Sequence, residues 1–205
     1  MTQPTVLIVP GRGNSEPDHW QSIIENCLPD TRRVQQDDWN TPSLETWSRN
    51  IDRAVRALDH RPLVVAHSFG CLAAVHAQNV LGTPFGATLL VTPADPERFA
   101  LPLWMFAAPL AQPGLLIASD NDPWLSFEKA AALAANWGVR CVNLGPVGHL
   151  NVASGHGPWP LGKAIIESMR SELGNLPDNE PGHAEASPNH IGHQPTPVRQ
   201  IWHSH

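Results

Sequence analysis

The stretch Leu63-Val64-Val65-Ala66-His67-Ser68-Phe69-Gly70-Cys71-Leu72-Ala73-Ala74-Val75 decides the fold. An apolar run of strand character reaches Ala66, and a helix-like run begins at Cys71. Between them stands small-x-Ser-x-Gly, the pattern of a turn so tight that the serine takes a strained backbone and projects its hydroxyl above the sheet edge. Strand and helix nearly collide at such a turn, so only small residues fit two positions either side of the serine. Gly70 meets that need fully and Ala66 meets it with one extra methyl. Five residues of this kind also arise by chance, and an ordinary serine in a strand–helix loop is the plain alternative.

Outward from this point the chain alternates. Strands are expected at Thr5–Val9, Arg33–Gln36, Leu63–Ala66, Ala87–Thr92, Leu115–Ala118 and Cys141–Leu144. Helices are expected at His19–Cys27, Leu44–Leu58, Cys71–Val80, Ser126–Trp137 and Leu161–Leu173. In the second helix Trp47, Ile51, Ala54, Val55 and Leu58 share one face. Strands alternating with helices through short connections imply parallel pairing and right-handed crossovers. The expected class is therefore α/β: a doubly wound, mostly parallel six-stranded sheet with helices on both faces and functional groups at the carboxyl ends of the strands. Residues 93–113 interrupt the alternation with Phe99, Leu103, Trp104, Met105 and Phe106, either a small lid or pocket wall or a short helix packed as core.

Composition narrows the function. At 205 residues, 41% of them hydrophobic, the chain has material for one substantial core. A net charge of −6 leaves no basic footprint for nucleic acid or an anionic membrane. Cys27, Cys71 and Cys141 lie far apart, an odd set that suits reduced thiols in the cytoplasm better than disulfides or a metal site. The N-terminus has no signal-peptide pattern, and the apolar stretch 101–118 is broken by Pro102, Pro109 and Pro113. The expectation is a soluble cytoplasmic protein. One domain is expected over 1–173, and a disordered Pro, Gly and His-rich tail over 174–205. His183, His190, His193, His203 and His205 are scattered through that tail at spacings that fit no rigid metal site.

A serine hydroxyl is a weak nucleophile until a base takes its proton and a third group orients the base. The base candidate is His149, in the loop Gly145–Asn151 after the last strand, where Gly148 lets the backbone approach closely. The acid candidates follow the strand Leu115–Ala118 in Ser119-Asp120-Asn121-Asp122-Pro123-Trp124. Asp122 is preferred, because a short turn separates it from the strand and Pro123 stiffens the loop; Asp120, and more distantly Asp95, remain alternatives. His67, as the direct neighbour of Ser68, is expected to point away and serve packing. Acyl attack also needs two backbone donors for the oxyanion, each typically worth about 3–4 kcal/mol. The amide of Phe69 is one, and the amide of Arg12 in Val9-Pro10-Gly11-Arg12-Gly13-Asn14 is the other. A phosphate-binding reading of that loop is weak, since it lacks the third glycine and the Lys-Ser/Thr ending.

Together the elbow, the glycine loop before Asp18-His19-Trp20, the Asp38-Trp39 pair, Asn121-Asp122-Pro123 and Gly148-His149 resemble one group of small serine hydrolases. It is the α/β-hydrolase family typified by retinoblastoma-binding protein nine and bacterial YdeN-like proteins. The resemblance spans about residues 5–173. It implies a compact α/β-hydrolase fold with no large cap domain, a Ser68-Asp122-His149 triad, action on small ester or amide substrates, and no metal or organic cofactor. Asp18-His19-Trp20 and Asp38-Trp39 are expected as structural anchors, with Trp39 and Trp104 as candidate substrate contacts. The competing class is a non-catalytic binding protein on the same scaffold.

Overall fold

A computed structural model describes residues 3–176. Six strands run β1 Val6–Val9, β2 Thr31–Arg33, β3 Leu63–Ser68, β4 Ala87–Pro93, β5 Gly114–Ala118 and β6 Arg140–Asn143. They form one sheet in the order β2-β1-β3-β4-β5-β6, and every neighbouring pair is parallel. The helices are α1 Trp20–Cys27, α2 Leu44–Arg56, α3 Phe69–Leu81, α4 Phe127–Trp137 and α5 Pro160–Gly174. The architecture is an α/β-hydrolase fold without a large cap.

Strand periodicity sorts the core into two layers. Leu7, Val9, Val64, Ala66, Leu90, Leu116 and Ala118 face one side, where they meet α2, α3 and α4. Val6, Ile8, Leu63, Val65, Leu89, Val91, Leu115 and Ile117 face the other, under α1 and α5. Helix α2 illustrates the energetics: Trp47, Ile51 and Val55 are buried on one stripe, each contributing roughly 2 kcal/mol by area. Ser43 caps its first turn by accepting from Thr46 N–H.

Two boundaries differ from expectation for physical reasons. Strand β2 lies at Thr31–Arg33 and not at Arg33–Gln36: it is a short edge strand whose position is fixed by pairing with β1, with no apolar run to announce it. Helix α3 begins at Phe69, directly after Ser68, and not at Cys71. The insertion resolves into two short 3-10 helices, Pro96–Phe99 and Leu103–Phe106. Phe106 is fully buried and its carbonyl accepts from Trp137 Nε1 at 3.1 Å, so the second half is core on its inner side. Helix α5 continues through Gly174; the tail expected from 174 lies, beyond residue 176, outside the described residues. Among the described residues no helix is long and apolar enough to cross a membrane.

Candidate active site

Strand β1 is the switch point of the sheet: the chain leaves it for β2 on one side and returns through β3 on the other. The loops after β1 and β3 therefore diverge, and the gap between them is where the site forms. Ser68 ends β3 and caps α3 with φ 55° and ψ −125°, a conformation costing on the order of 1–3 kcal/mol for a residue with a Cβ. The register of β3 against β4 shifts at His67/Ser68, as the strand breaks upward into the elbow. Gly70 is demanded by packing: a Cβ there would stand 2.5 Å from the carbonyl oxygens of both Val9 and Pro10. The collision inferred from the small-x-Ser-x-Gly pattern is thus the collision of α3 with the end of β1.

Three side chains converge above this turn. His149 Nε2 lies 2.9 Å from Ser68 Oγ, and His149 Nδ1 lies 2.9 Å from each carboxylate oxygen of Asp122. A carboxylate only accepts, so Nδ1 carries the proton and donates to Asp122, leaving the Nε2 lone pair to accept from the serine hydroxyl. Asp122 is also oriented by the backbone, accepting from Trp124 N–H at 2.9 Å. The side chains of His149 and Asp122 are 6% and 3% exposed, which keeps water from competing for their hydrogen bonds.

The other acid candidates are occupied elsewhere. Asp120 is exposed and accepts from Asn143 Nδ2 on β6. Asp95 caps the Pro96–Phe99 turn and pairs with Lys129 Nζ at 2.7 Å. The loops bearing Asp122 and His149 are stitched together beneath the pair. Asn121 Oδ1 accepts from Ser119 Oγ at 3.0 Å and from Gly148 N–H at 2.6 Å, and Ser119 Oγ accepts from Val147 N–H at 3.1 Å.

His67 does more than fill space. It is buried, as expected, yet its Nε2–H donates to the carbonyl of His149 at 2.9 Å, and Thr92 Oγ1 donates to the same carbonyl at 3.1 Å. Its ring centre lies 4.9 Å from that of His149 and 5.0 Å from that of His19. Burial pushes His67 well below the ordinary histidine range, and the neighbouring His149 and His19 push the same way. Burial likewise lowers His19 to about 4, against the pull of Glu16. His19 caps α1 by accepting from Gln21 N–H, and Trp20 Nε1 donates to Leu150 O at 2.8 Å, so the Asp18-His19-Trp20 segment ties α1 to the base loop.

A cavity of about 210 Å³ opens on Ser68 and His149, lined by Arg12, Arg98, Phe99 and Trp124 among others. The two tryptophans expected to contact substrate lie outside this lining. Trp39 is half-buried with its ring edge-on to Trp47 at 5.5 Å, and Trp104 is 76% exposed on the outer side of the insertion. The aromatic wall is instead Phe99 and Trp124, with the Arg98 guanidinium 5.1 Å above the Trp124 ring and donating to Pro123 O at 2.8 Å. Trp124 sits two residues past Asp122, and its nearness to the acid in sequence was the available signal. Arg98 had none.

The loop after β1 presses on Ser68: a Cβ on Gly11 would stand 2.7 Å from Ser68 Cβ. That places the Gly11–Arg12 backbone beside the hydroxyl. Phe69 N–H, at the first position of α3, belongs to the turn whose amides have no partner within the helix. Among the described residues no cluster of three or more His, Cys, Asp or Glu side chains could hold a metal ion.

The family profile described as serine hydrolase matches residues 6–168. The chain belongs to this family. A protein described as a YdeN-like hydrolase from Pectobacterium atrosepticum is 35% identical, with a TM-score of 0.79 over 83% of this chain and 92% of its own. The ydeN gene product of B. subtilis is 21% identical, with a TM-score of 0.68 over 82% of this chain and 99% of its own. Est1E from Butyrivibrio proteoclasticus, seen with ferulic acid, shares the fold at 14% identity and a TM-score of 0.63, over 83% of this chain and 89% of its own. No protein of curated function matches the sequence. In this serine hydrolase the matched span takes in all three converging side chains.

Proposed function

We propose that this hydrolase cleaves small carboxylic esters, or amides, through an acyl-enzyme on Ser68. The observation that carries the reading is the continuous line Asp122–His149–Ser68, closed at 2.9 Å at each step, with the serine on a strained turn. His149 Nε2 accepts the Ser68 proton as Oγ attacks the carbonyl carbon. The imidazolium formed is held by Asp122, and the proton passes to the leaving oxygen or nitrogen as its bond to carbon breaks. Water repeats the sequence on the acyl-enzyme and frees the acid. The amides of Arg12 and Phe69 receive the oxyanion. Every group used is a side chain or a backbone amide, so the scheme calls for no cofactor.

The cavity supports short or medium acyl groups. At about 210 Å³ it is small beside the roughly 300–1,000 Å³ of sites for drug-sized ligands. Phe99 and Trp124 give it apolar surface, and Ser68 is part of its lining. The test is fluorophosphonate labelling of native protein and Ser68→Ala, with a series of p-nitrophenyl esters of rising acyl length beside aminoacyl arylamides. Labelling confined to Ser68 and turnover fastest for short acyl chains are expected. Native protein that takes no label would return the chain to the binding-protein reading.

A further inference from the structure

We infer that Asp38 is a positioning residue for the oxyanion loop, acting through the backbone of the Asp38–Thr41 turn. The inference rests on the hydrolase reading above.

Asp38 is exposed and lies outside the cavity lining, so it has no route to the substrate by contact. Its Oδ1 accepts from the amides of Asn40 at 2.8 Å and Thr41 at 3.2 Å, which closes the turn on itself. Those backbone bonds also hold its carboxyl below the ordinary range. The closed turn presents two carbonyls in one direction. Trp39 O accepts from Gly13 N–H at 2.8 Å, and Asn40 O accepts from Arg12 Nε–H at 3.0 Å. On its other side, Asp38 O accepts from Trp47 Nε1 at 3.3 Å, which anchors the turn to the buried face of α2.

These bonds bracket the amide assigned to the oxyanion. Gly11 O accepts from Asn14 N–H at 3.1 Å, so residues 11–14 are themselves a closed turn. Gly13 N–H is fixed by Trp39 O, the Arg12 side chain is fixed by Asn40 O, and Gly11 backs onto Ser68. Among the described residues the Arg12 amide itself donates to nothing, as an amide reserved for a transient oxyanion must. The aim of a single N–H is thus set by a second loop, and that loop is held in shape by one carboxylate oxygen. The Asp38-Trp39 pair therefore reaches the site through carbonyl groups and not through the indole ring.

The experiment compares wild type, Asp38→Asn and Asp38→Ala with p-nitrophenyl acetate and with phenylboronic acid, whose serine adduct is tetrahedral. Active sites are titrated so that kcat is per competent molecule. Asparagine keeps the Oδ1 acceptor and alanine has none. Alanine should lower kcat about tenfold with KM within about twofold, and should raise the inhibition constant of the boronic acid by the same factor. Asparagine should stay within about twofold of wild type. An alanine variant with unchanged kcat and inhibition constant overturns the inference, as does an asparagine variant as impaired as alanine. If alanine at this position does not fold, Arg12→Met tests the same brace from the other side. It should lower kcat about threefold with a matching change in boronic acid inhibition, and no change there overturns the inference too. Wild type that neither turns over ester nor takes a phosphonate at Ser68 sinks the hydrolase reading, and this inference with it.

Discussion

On one side of Ser68 the molecule is joined by side chains, from Asp122 to His149 to the hydroxyl, each link at 2.9 Å. On the other side it is joined by backbone, from the Asp38–Thr41 turn through Trp39 O and Asn40 O to the Gly11–Asn14 turn. On the proposed mechanism the first side needs particular chemical groups, because a proton must be taken, held and returned. The second needs only an amide in the right place, which any residue can supply if the chain is bent correctly. The two sides therefore fail in different ways. Removing a group on the proton side deletes a function, whereas disturbing the backbone side displaces one.

The largest test of this contrast is on the proton side. Ser68→Ala should lower ester turnover on the order of 10⁵-fold or more, and Asp122→Asn roughly 10⁴-fold because the wrong tautomer of His149 is then favoured. Asp120→Asn should stay within about threefold, since Asp120 bonds to Asn143 and not to His149. Equal losses at the two aspartates in a kcat/KM comparison would erase the distinction drawn between them. On the backbone side, Gly11→Ala puts a methyl 2.7 Å from Ser68 Cβ, and a shift of about 1 Å in the loop should lower kcat about 10²-fold with the fold retained by circular dichroism. A near-normal kcat in that variant would show that the oxyanion loop is not pressed on the nucleophile.

The smallest effect concerns stability, through the buried histidine that caps α1. His19 has its pKa lowered from 6.5 to about 4 by burial, so the folded protein holds it neutral while the unfolded chain protonates it more readily. Its contribution to stability is full above pH 6.5 and is lost as pH falls towards 4, by up to about 3 kcal/mol. Urea midpoints measured between pH 7.5 and 4.5 should fall, and His19→Asn, which keeps a cap for Gln21 N–H, should flatten part of that slope. An unchanged slope in the variant would assign the acid sensitivity to other groups.

The contrast also explains what the sequence made visible. The tight turn at Ser68, the loop of Asp122 and the loop of His149 were each readable, because side-chain type and position after a strand carry the information. Helix α2 was readable from the spacing of Trp47, Ile51 and Val55. The brace between the Asp38–Thr41 turn and the Gly11–Asn14 loop is not, since a carbonyl on Trp39 or Asn40 leaves no trace in residue type. The conspicuous indoles lie away from the cavity lining: Trp39 packs on Trp47, and Trp104 faces solvent. The place of His67 beside Ser68 conceals its hydrogen bond, because strand alternation sends its ring under the loop of His149, where it meets the His149 carbonyl. Strand β2 leaves no mark in the sequence because an edge strand of Thr31-Arg32-Arg33 has no apolar signature of its own.

That polar edge has a further consequence. Both rims of the sheet are short and each carries one exposed guanidinium, Arg32 on β2 and Arg140 on β6, while Arg33 is folded inward onto Glu25. A second sheet adding a strand at either rim would have to seat its backbone beside an exposed positive charge over only three or four residues. Edges this short and charged disfavour sideways growth of the parallel sheet.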